Sequence, residues 1–452
     1  MLHEKEHMHV YRCDAASIFI GKPEAVVFPT STEQVSRIVK LCNRERIPFV
    51  PRGAGTGLSG GAVPLNGGMV IETSKMNKIV EVDLENQRVV VEAGLINLQL
   101  TDAISEHGYY YAPDPSSQQA CTLGGNVAHN SGGPHCLKYG VTTSHVLGLE
   151  VVLPDGQVVN LGGKALDSPG YDLTGILVGS EGTIGIVTRA ILKIQRKPQA
   201  AKTFMAVYDS IDDASNTVSG IIAEGIVPAA VEMADKLAIK AIESSGHASG
   251  YPLDAAAVLL IEVDGLRYGM DRLVTRILEI CKRNNAREIR VAKDDAERKK
   301  FWTGRKGAFA AMGSISPNYV VQDGVIPRTK LPEVLRRISE ISTKYGLSIA
   351  NVFHAGDGNL HPLIIFNAKN PGETERALQA SAETLKICVE VGGVITGEHG
   401  IGIEKRDLMP LMYTPEDLAA MKKLREVFNP NDLCNPMKIF PTRLGCVGPG
   451  AY

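Results

Sequence analysis

The chain has 452 residues, and its 44% hydrophobic and 22% charged side chains are typical of an ordinary globular protein. At roughly 100–200 residues per domain, this length predicts about two to four domains. Lys and Arg together number 48 and Asp and Glu 50, so the net charge is −2. That balance excludes the broadly basic surface of a protein that binds nucleic acid or an anionic membrane.

Eight cysteines are scattered along the chain without a CxxC pair. The first twenty residues contain no apolar signal-peptide core, and no apolar run approaches the ~18 residues of a membrane span. We therefore expect reduced thiols in a cytoplasmic protein, which is peripheral to the inner membrane at most through a partner. The cysteines are Cys13, Cys42, Cys121, Cys136, Cys281, Cys388, Cys434 and Cys446.

The first 200 residues predict mixed α and β structure. A helix begins at the doubled capping signals Thr30-Glu33 and Ser31-Gln34, and apolar side chains recur along it at helical spacing. Asp155-Gly156 is a two-residue hairpin turn. The predicted elements are a helix over 30–42, a strand over 48–51, a hairpin over 79–92, a helix over 97–107, a hairpin over 148–161 and a strand over 184–194.

Lys197-Pro198 is a predicted boundary, after which strands and helices alternate. That order predicts helices packed over one sheet, an α+β arrangement. We expect domains at 1–198 and 199–400 and a mostly helical segment at 401–452. The predicted strands of the second half are 203–207, 257–263, 288–291 and 319–326, and its predicted helices are 211–224, 270–284, 295–312 and 331–345.

A glycine-rich loop, RGAGTGLSGG, occupies residues 52–61. Gly55, Gly57 and Gly60 match the GxGxxG pattern, but a Rossmann loop needs a helix directly after it. Pro64 and two further glycines exclude that helix. The glycines still let successive backbone N–H groups face one anion. The alternative is an ordinary surface loop.

Two histidine motifs, NVFHAGDGNLHP and GEHG, stand in the second half of the chain. His354 and His361 are seven residues apart, and an odd separation places side chains on opposite faces of a single strand. The turn-forming residues GDGN between them instead predict a hairpin that brings both imidazoles to one cavity. Together with Glu398 they suit a divalent metal such as zinc or ferrous iron, and His399 is available as a base. The alternative for each histidine is a satisfied core residue.

Three more segments accompany the glycine-rich loop, in the order APDPSS, TLGGNVAHNSGG and GSEGTIGIVT. With PRGAGTGLSGGA, they make residues 22–196 similar to the flavin domain of the vanillyl-alcohol oxidase superfamily, the PCMH-type FAD-binding domain with its two α/β subdomains. The whole chain resembles the FAD-linked 2-hydroxyacid dehydrogenases, the branch of D-lactate dehydrogenase, D-2-hydroxyglutarate dehydrogenase and the flavoprotein subunit of glycolate oxidase. The resemblance implies an α+β fold, in which an α+β substrate (cap) domain with an antiparallel sheet and a helical C-terminal segment follow the flavin domain.

The resemblance also implies bound FAD. The first loop would wrap the pyrophosphate, PDPSS would lie near the isoalloxazine, GGN would line the cofactor groove, and the last segment would hold the adenine–ribose end. Some relatives attach FAD covalently through a histidine of the first loop. Thr56 or Gly57 occupies that place here, so we predict non-covalent FAD. The implied contacts are Arg52, Gly53, Ala54, Gly55, Thr56, Gly57, Leu58, Ser59, Gly60, Pro113, Asp114, Ser116, Ser117, Gly124, Gly125, Asn126, Glu181, Gly182 and Ile186.

The implied reaction is oxidation of a D-2-hydroxy acid to the 2-oxo acid, by hydride transfer to flavin N5. A divalent cation (zinc, iron or manganese) held by His354, His361 and Glu398 would chelate the substrate, and His399 would act as the base. Arg305 is the candidate carboxylate clamp, because a guanidinium grips a carboxylate through two hydrogen bonds. Its alternative is a solvated helix arginine.

Enzymes for 2-hydroxyglutarate would be expected to carry a basic residue in the stretch YVVQDGVIP, where Val321 and Gln322 stand here. D-lactate or glycolate is therefore favoured over D-2-hydroxyglutarate. Two other functions stay open: a non-catalytic flavin protein that relays electrons, and chemistry like that of the alkyl-glycerone-phosphate synthases. The chain has no cysteine cluster for an iron–sulfur centre, so we expect an electron-acceptor partner, either an iron–sulfur subunit or electron-transferring flavoprotein.

Overall fold

The computed structural model describes residues 1–166 and 169–442, which form two compact units. Cys446 lies outside the described residues, and none of the other seven cysteines forms a disulfide. Within these ranges, no helix has the length and apolarity that crossing a bilayer requires. The first unit contains residues 1–133, 140–197 and the described residues from 398 onward, and the second contains 134–139 and 198–397.

Strands and helices follow one another along both units. The strands are, in chain order, β1 (Ala25–Val27), β2 (Phe49–Arg52), β3 (Met69–Glu72), β4 (Ile79–Asp83), β5 (Arg88–Glu92), β6 (Tyr109–Tyr110), β7 (Val146–Val152), β8 (Val158–Gly162), β9 (Ile186–Lys193), β10 (Gln195–Arg196), β11 (Ala200–Tyr208), β12 (Ala230–Asp235), β13 (Ala257–Gly265), β14 (Glu288–Val291), β15 (Asn318–Val321), β16 (Gly324–Val325), β17 (Ser348–His354), β18 (Asn359–Leu360) and β19 (Pro362–Phe366). The helices are α1 (Thr32–Arg44), α2 (Asn97–Ser105), α3 (Leu123–His129), α4 (Cys136–Tyr139), α5 (Leu173–Leu177), α6 (Ile211–Ala223), α7 (Lys236–Glu243), α8 (Met270–Arg283), α9 (Asp295–Ala311), α10 (Leu331–Tyr345), α11 (Glu373–Glu390) and α12 (Pro415–Phe428).

The first unit contains a three-stranded parallel sheet, β1-β3-β2, and a five-stranded antiparallel sheet, β4-β5-β9-β7-β8. The predicted first helix forms as α1, whose N-cap is Ser31, with its hydroxyl accepting the N–H of Gln34. Val35, Val39 and Cys42 make its buried face and pack into one apolar core with β2 and β3. The capping signal and the helical spacing therefore both predicted this element correctly.

Both predicted hairpins of the first unit are confirmed. β4 pairs with β5, and β7 pairs with β8 across Asp155-Gly156. Gly156 has a φ of 85°, a left-handed conformation that glycine adopts without steric cost. The turn residues therefore set the register of this sheet edge.

The second unit is built on a nine-stranded antiparallel sheet. Met205 and Val207 of β11 enter an apolar cluster with α7 and α9 on one face. On the opposite face the Tyr208 hydroxyl donates to Thr217 of α6 at 2.9 Å. Helices cover both faces, so the central strands are buried along almost their whole length.

Several elements differ from the predictions, which also lacked α7 and α11. The strand predicted over 319–326 breaks into β15 and β16, because the Asp323 side chain accepts hydrogen bonds from Thr396 and Gly397. The segment TLGGNVAHNSGG contains α3 despite its glycines, because the Thr122 hydroxyl caps the helix. β12 was not predicted at all, since a glutamate interrupts its apolar pattern.

Candidate active site

The glycine-rich loop leaves β2 and continues without a helix, as predicted. Residues 53–58 are partly exposed. Over the described chain, no backbone N–H from Ala54 to Gly61 donates a hydrogen bond to another protein group. Gly55 and Gly60 have φ of 72° and 79°, which lets the backbone curl. The loop thus offers a run of donors that fits an anionic group such as a pyrophosphate.

Arg52 is buried, and its guanidinium contacts other residues of the first unit. Its Nη1 donates to the carbonyl oxygen of Cys13 at 2.8 Å, and its guanidinium lies 5.6 Å from the centre of the Tyr11 ring. A Cβ on Gly55 would lie 2.0 Å from its Nη2. The Arg52 guanidinium therefore packs against the loop at Gly55 and stabilises its conformation.

The second glycine-rich segment divides into exposed and buried positions. Gly124 packs so closely on Ala93 that a Cβ there would lie 2.7 Å away, whereas a Cβ on Gly125 would meet only the Thr122 hydroxyl, at 3.2 Å. Asn126 is buried, and its Oδ1 accepts from Asn97 at 2.9 Å. The amide of Asn126 thus stabilises the core of the first unit.

The segments PDPSS and GSEGTIGIVT also contain both exposed and buried positions. Ser116 is exposed, and Asp114 and Ser117 are half-buried, whereas Pro113 is buried. Glu181 has a φ of 52°, and its carboxylate accepts backbone N–H groups within the first unit. Gly182 has a φ of 68°. Ile186 packs in the apolar core of the first unit, so its side chain contributes to stability.

The histidine hairpin of the second unit forms as predicted. β17 ends at His354, which pairs with Asn359 of β18 across the turn. Gly358 has a φ of 74° in this turn. The ring centres of His354 and His361 lie 5.0 Å apart at an interplanar angle of 82°. The turn thus brings the two imidazoles into edge-to-face contact.

A buried glutamate that sequence analysis missed holds one of these rings. Glu232 of β12 accepts from Nδ1 of His354 at 2.7 Å and from Nε of Arg305 at 2.6 Å. A carboxylate on Nδ1 fixes the tautomer, so Nε2 is the nitrogen suited to bind a metal. Arg305 is 4% exposed, so the alternative of a solvated helix arginine is wrong.

A second missed carboxylate, Asp323, is fully buried and lies 3.4 Å from Nε2 of His361. These two side chains each offer an atom to a group that could hold a metal ion. Asp323 also accepts from the Thr396 hydroxyl at 2.6 Å and from Gly397 N–H at 2.9 Å. Glu398 directly follows Gly397, so the hydrogen bond to Asp323 fixes the backbone immediately before Glu398.

Burial shifts the pKa of two side chains elsewhere in the first unit, Asp14 and Lys438. Asp14 has no hydrogen-bond partner at Oδ2, and burial raises its pKa to about 6. Lys438 donates from Nζ to the carbonyl oxygen of Val63 at 2.8 Å, and burial lowers its pKa to about 8.

Val321 packs in the apolar core of the second unit, so of the two positions in YVVQDGVIP only Gln322 stays a specificity candidate.

Two family models match the chain: an FAD binding domain over residues 23–162, and the C-terminal domain of FAD linked oxidases over residues 197–439. The chain is 46% identical over 451 residues to glycolate oxidase subunit GlcD of Escherichia coli (strain K12), which covers 100% of this chain and 90% of that protein. The chain belongs to the FAD-linked oxidases. This confirms the family that the motifs indicated, and it makes the chain an oxidoreductase.

Other relatives of this FAD-linked oxidase agree. It is 34% identical over 427 residues to a D-lactate dehydrogenase of Anaerostipes hadrus, covering 93% of this chain and 90% of that one. It superposes on the crystal structure of p-cresol methylhydroxylase with a TM-score of 0.82 at 20% identity, covering 97% and 94% of the two chains. That likeness concerns the fold alone, and it confirms the PCMH-type architecture.

Proposed function

We propose that this FAD-linked oxidase oxidises a small D-2-hydroxy acid to the 2-oxo acid. The observation that carries the proposal is the buried pair His354 and His361, held by Glu232 and Asp323 in the same unit as Arg305. Relatives named glycolate oxidase subunit and D-lactate dehydrogenase support this class of substrate.

FAD would be held by the first loop, with its pyrophosphate on the N–H groups from Ala54 to Gly61. Bound there, FAD would supply the hydride acceptor, flavin N5. The absence of a histidine at Thr56 and Gly57 supports non-covalent attachment. Further contacts are proposed at the exposed Ser116, at the half-buried Ser117 and Gly125, and at the backbone of the buried Glu181 and Gly182.

A divalent cation would be held by His354, His361 and Glu398, with Asp323 as a fourth ligand or as the hydrogen-bond partner of His361. Two imidazoles and carboxylates suit zinc, iron or manganese. Such a cation would supply Lewis-acid polarisation of the α-hydroxyl group. Glu232 orients His354 by holding Nδ1, as carboxylates commonly do for metal-binding histidines.

His399 is the proposed base, and its imidazole would take the proton of the α-hydroxyl while the α-hydrogen leaves as hydride. Arg305 would grip the substrate carboxylate with its Nη groups, since Glu232 already occupies Nε. The buried surroundings of Arg305 would strengthen that contact.

The polar but uncharged Gln322 supports a monocarboxylate such as D-lactate or glycolate over D-2-hydroxyglutarate. The electrons would then pass to a separate protein, an iron–sulfur subunit or electron-transferring flavoprotein. A relative named as a subunit supports such a complex. Localisation in the cytoplasm with peripheral attachment to the inner membrane through that partner is part of the same proposal.

The test is anaerobic flavin bleaching in protein loaded with FAD and zinc, manganese or ferrous iron. We expect bleaching by D-lactate or glycolate that is faster than by L-lactate or D-2-hydroxyglutarate. Bleaching by none of these acids would overturn the proposal. Faster bleaching by D-2-hydroxyglutarate than by either monocarboxylate would reverse the substrate preference.

His399→Ala separates an enzyme from a non-catalytic electron relay. We expect this variant to keep FAD but to lose substrate bleaching, while chemical reduction by dithionite is unchanged. His107→Ala, at an exposed site, is the matched control. Bleaching by His399→Ala at the wild-type rate would exclude His399 as the base.

A further inference from the structure

The backbone that carries His399 is held by two side chains of the first unit. His129 donates from Nδ1 to the carbonyl oxygen of His399 at 3.1 Å. The Glu181 carboxylate accepts the N–H of Ile401 at 2.6 Å and that of Gly402 at 2.7 Å. The position of His399 therefore depends on hydrogen bonds on both sides of residue 400.

The glycine-rich loop over residues 52–61, called the flavin loop from here on, also binds the next residues of this segment. The carbonyl oxygen of Ser59 accepts the N–H of Ile403 at 2.8 Å and that of Glu404 at 3.2 Å. A Cβ on Gly402 would lie 2.1 Å from that oxygen, so a side chain there has no room. The loop whose N–H groups suit a pyrophosphate thus also binds the segment over residues 399–404.

The imidazole of His129 lies between the loop and this segment. A Cβ on Gly57 would meet its Nε2 at 3.5 Å, and one on Gly61 would meet its Cε1 at 2.8 Å. On the other side, a Cβ on Gly400 would meet its Nδ1 at 2.8 Å. Because a carbonyl oxygen can only accept, Nδ1 carries the proton.

We propose that His129 is a positioning residue that couples occupancy of the flavin loop to the placement of His399. Its role in turnover rests on the proposed function of His399 as the base. An anion that orders Gly57 and its neighbours restricts the His129 ring, and the ring in turn fixes the carbonyl, and so the Cα–Cβ direction, of His399. Misplacement of a catalytic group by 1 Å costs on the order of 100-fold in rate.

Two substitutions test the position of the donor. His129→Asn keeps an N–H donor near the place of Nδ1, whereas His129→Gln moves it to the place of Nε2. At saturating D-lactate or glycolate, we expect His129→Gln to slow anaerobic flavin reduction by about 10- to 100-fold and His129→Asn to recover most of that loss. FAD affinity, measured by flavin fluorescence, should change by no more than about threefold in either variant. His107→Gln is the matched control.

Amide hydrogen exchange over residues 399–404 provides a second readout that does not depend on turnover. FAD should slow exchange in the wild-type apoprotein and in His129→Asn, and slow it much less in His129→Gln. Equal behaviour of the two variants in both measurements would overturn the coupling. If none of the 2-hydroxy acids reduces the flavin of the wild type but the difference in amide exchange is present, the proposed function fails. The coupling through His129 then still stands.

Discussion

Glu232 accepts a hydrogen bond from Nδ1 of His354 at 2.7 Å, and both side chains are almost fully buried in the second unit. This pair joins β12 to β17, which are neighbours in the sheet. It fixes which ring nitrogen of His354 is available to a metal, and it holds the Arg305 guanidinium through the same carboxylate. One buried charge therefore orients two of the side chains that the proposed reaction needs.

Glu232→Gln should damage both of these side chains. The substitution leaves the Arg305 charge unpaired in the interior. Breaking a buried ion pair in this way lowers the free energy of unfolding by about 3–5 kcal/mol. It should also weaken zinc or manganese binding by about 10- to 100-fold, as loss of a carboxylate behind a metal-binding histidine does. Thermal unfolding and calorimetric metal titration measure the two effects.

Glu81→Gln is the control for this change, because Glu81 pairs with Lys164 at a largely exposed site. It should alter stability by at most about 1 kcal/mol and leave metal affinity unchanged. Unaltered metal affinity in Glu232→Gln would contradict the role given to His354.

Arg305→Lys should lower kcat/KM for D-lactate or glycolate by roughly 10- to 100-fold, mostly through KM. Lysine keeps the charge but loses the planar fork, and one charge-assisted hydrogen bond contributes about 1.5–3 kcal/mol. Lys306→Arg is the matched control, because Lys306 is adjacent in α9 but exposed. Steady-state kinetics check both, and equal loss in the two variants would exclude a clamp at Arg305.

Gly55→Ala should weaken FAD binding by about 10-fold or more. At a φ of 72° an alanine costs roughly 1–2 kcal/mol, and its Cβ would press on Arg52 beneath the loop. Gly225→Ala matches the backbone strain, at a φ of 74°, in open space in the second unit. Fluorescence titration of the apoproteins separates them, and the same FAD affinity in both would argue against pyrophosphate binding at this loop.

Asp14→Asn should stabilise the protein in a pH-dependent way. Burial raises the pKa of Asp14 from 3.8 to about 6, so the folded state binds more protons than the unfolded state between those values. Wild-type stability is therefore lost as pH rises through that window, by up to roughly 3 kcal/mol. The gain of the variant should be small at pH 4 and largest above pH 6.

Unfolding temperatures of wild type and Asp14→Asn across pH 4–7.5 measure this gain. Asp102→Asn, at an exposed position of α2, controls for the change of net charge. A gain that does not vary with pH would mean that Asp14 titrates normally in the folded protein.

Local sequence patterns determined much of this protein. Capping residues located α1, Asp155-Gly156 located a hairpin, and GDGN predicted the turn that brings His354 and His361 together. Pro64 and its neighbouring glycines excluded a Rossmann helix, and the glycine-rich segments indicated the flavin fold. Each of these features depends on conformational preferences within a few residues, which is why sequence alone sufficed.

Tertiary structure determined which distant side chains hold the residues of the candidate site in place. Glu232 lies 122 residues from His354 in sequence, and His129 lies 270 residues from His399. A lone carboxylate in an apolar strand, or a histidine at the end of a glycine-rich helix, forms no local pattern that identifies its partner. Only the pairing of β12 with β17, and of the flavin loop with residues 399–404, brings these groups within hydrogen-bond distance.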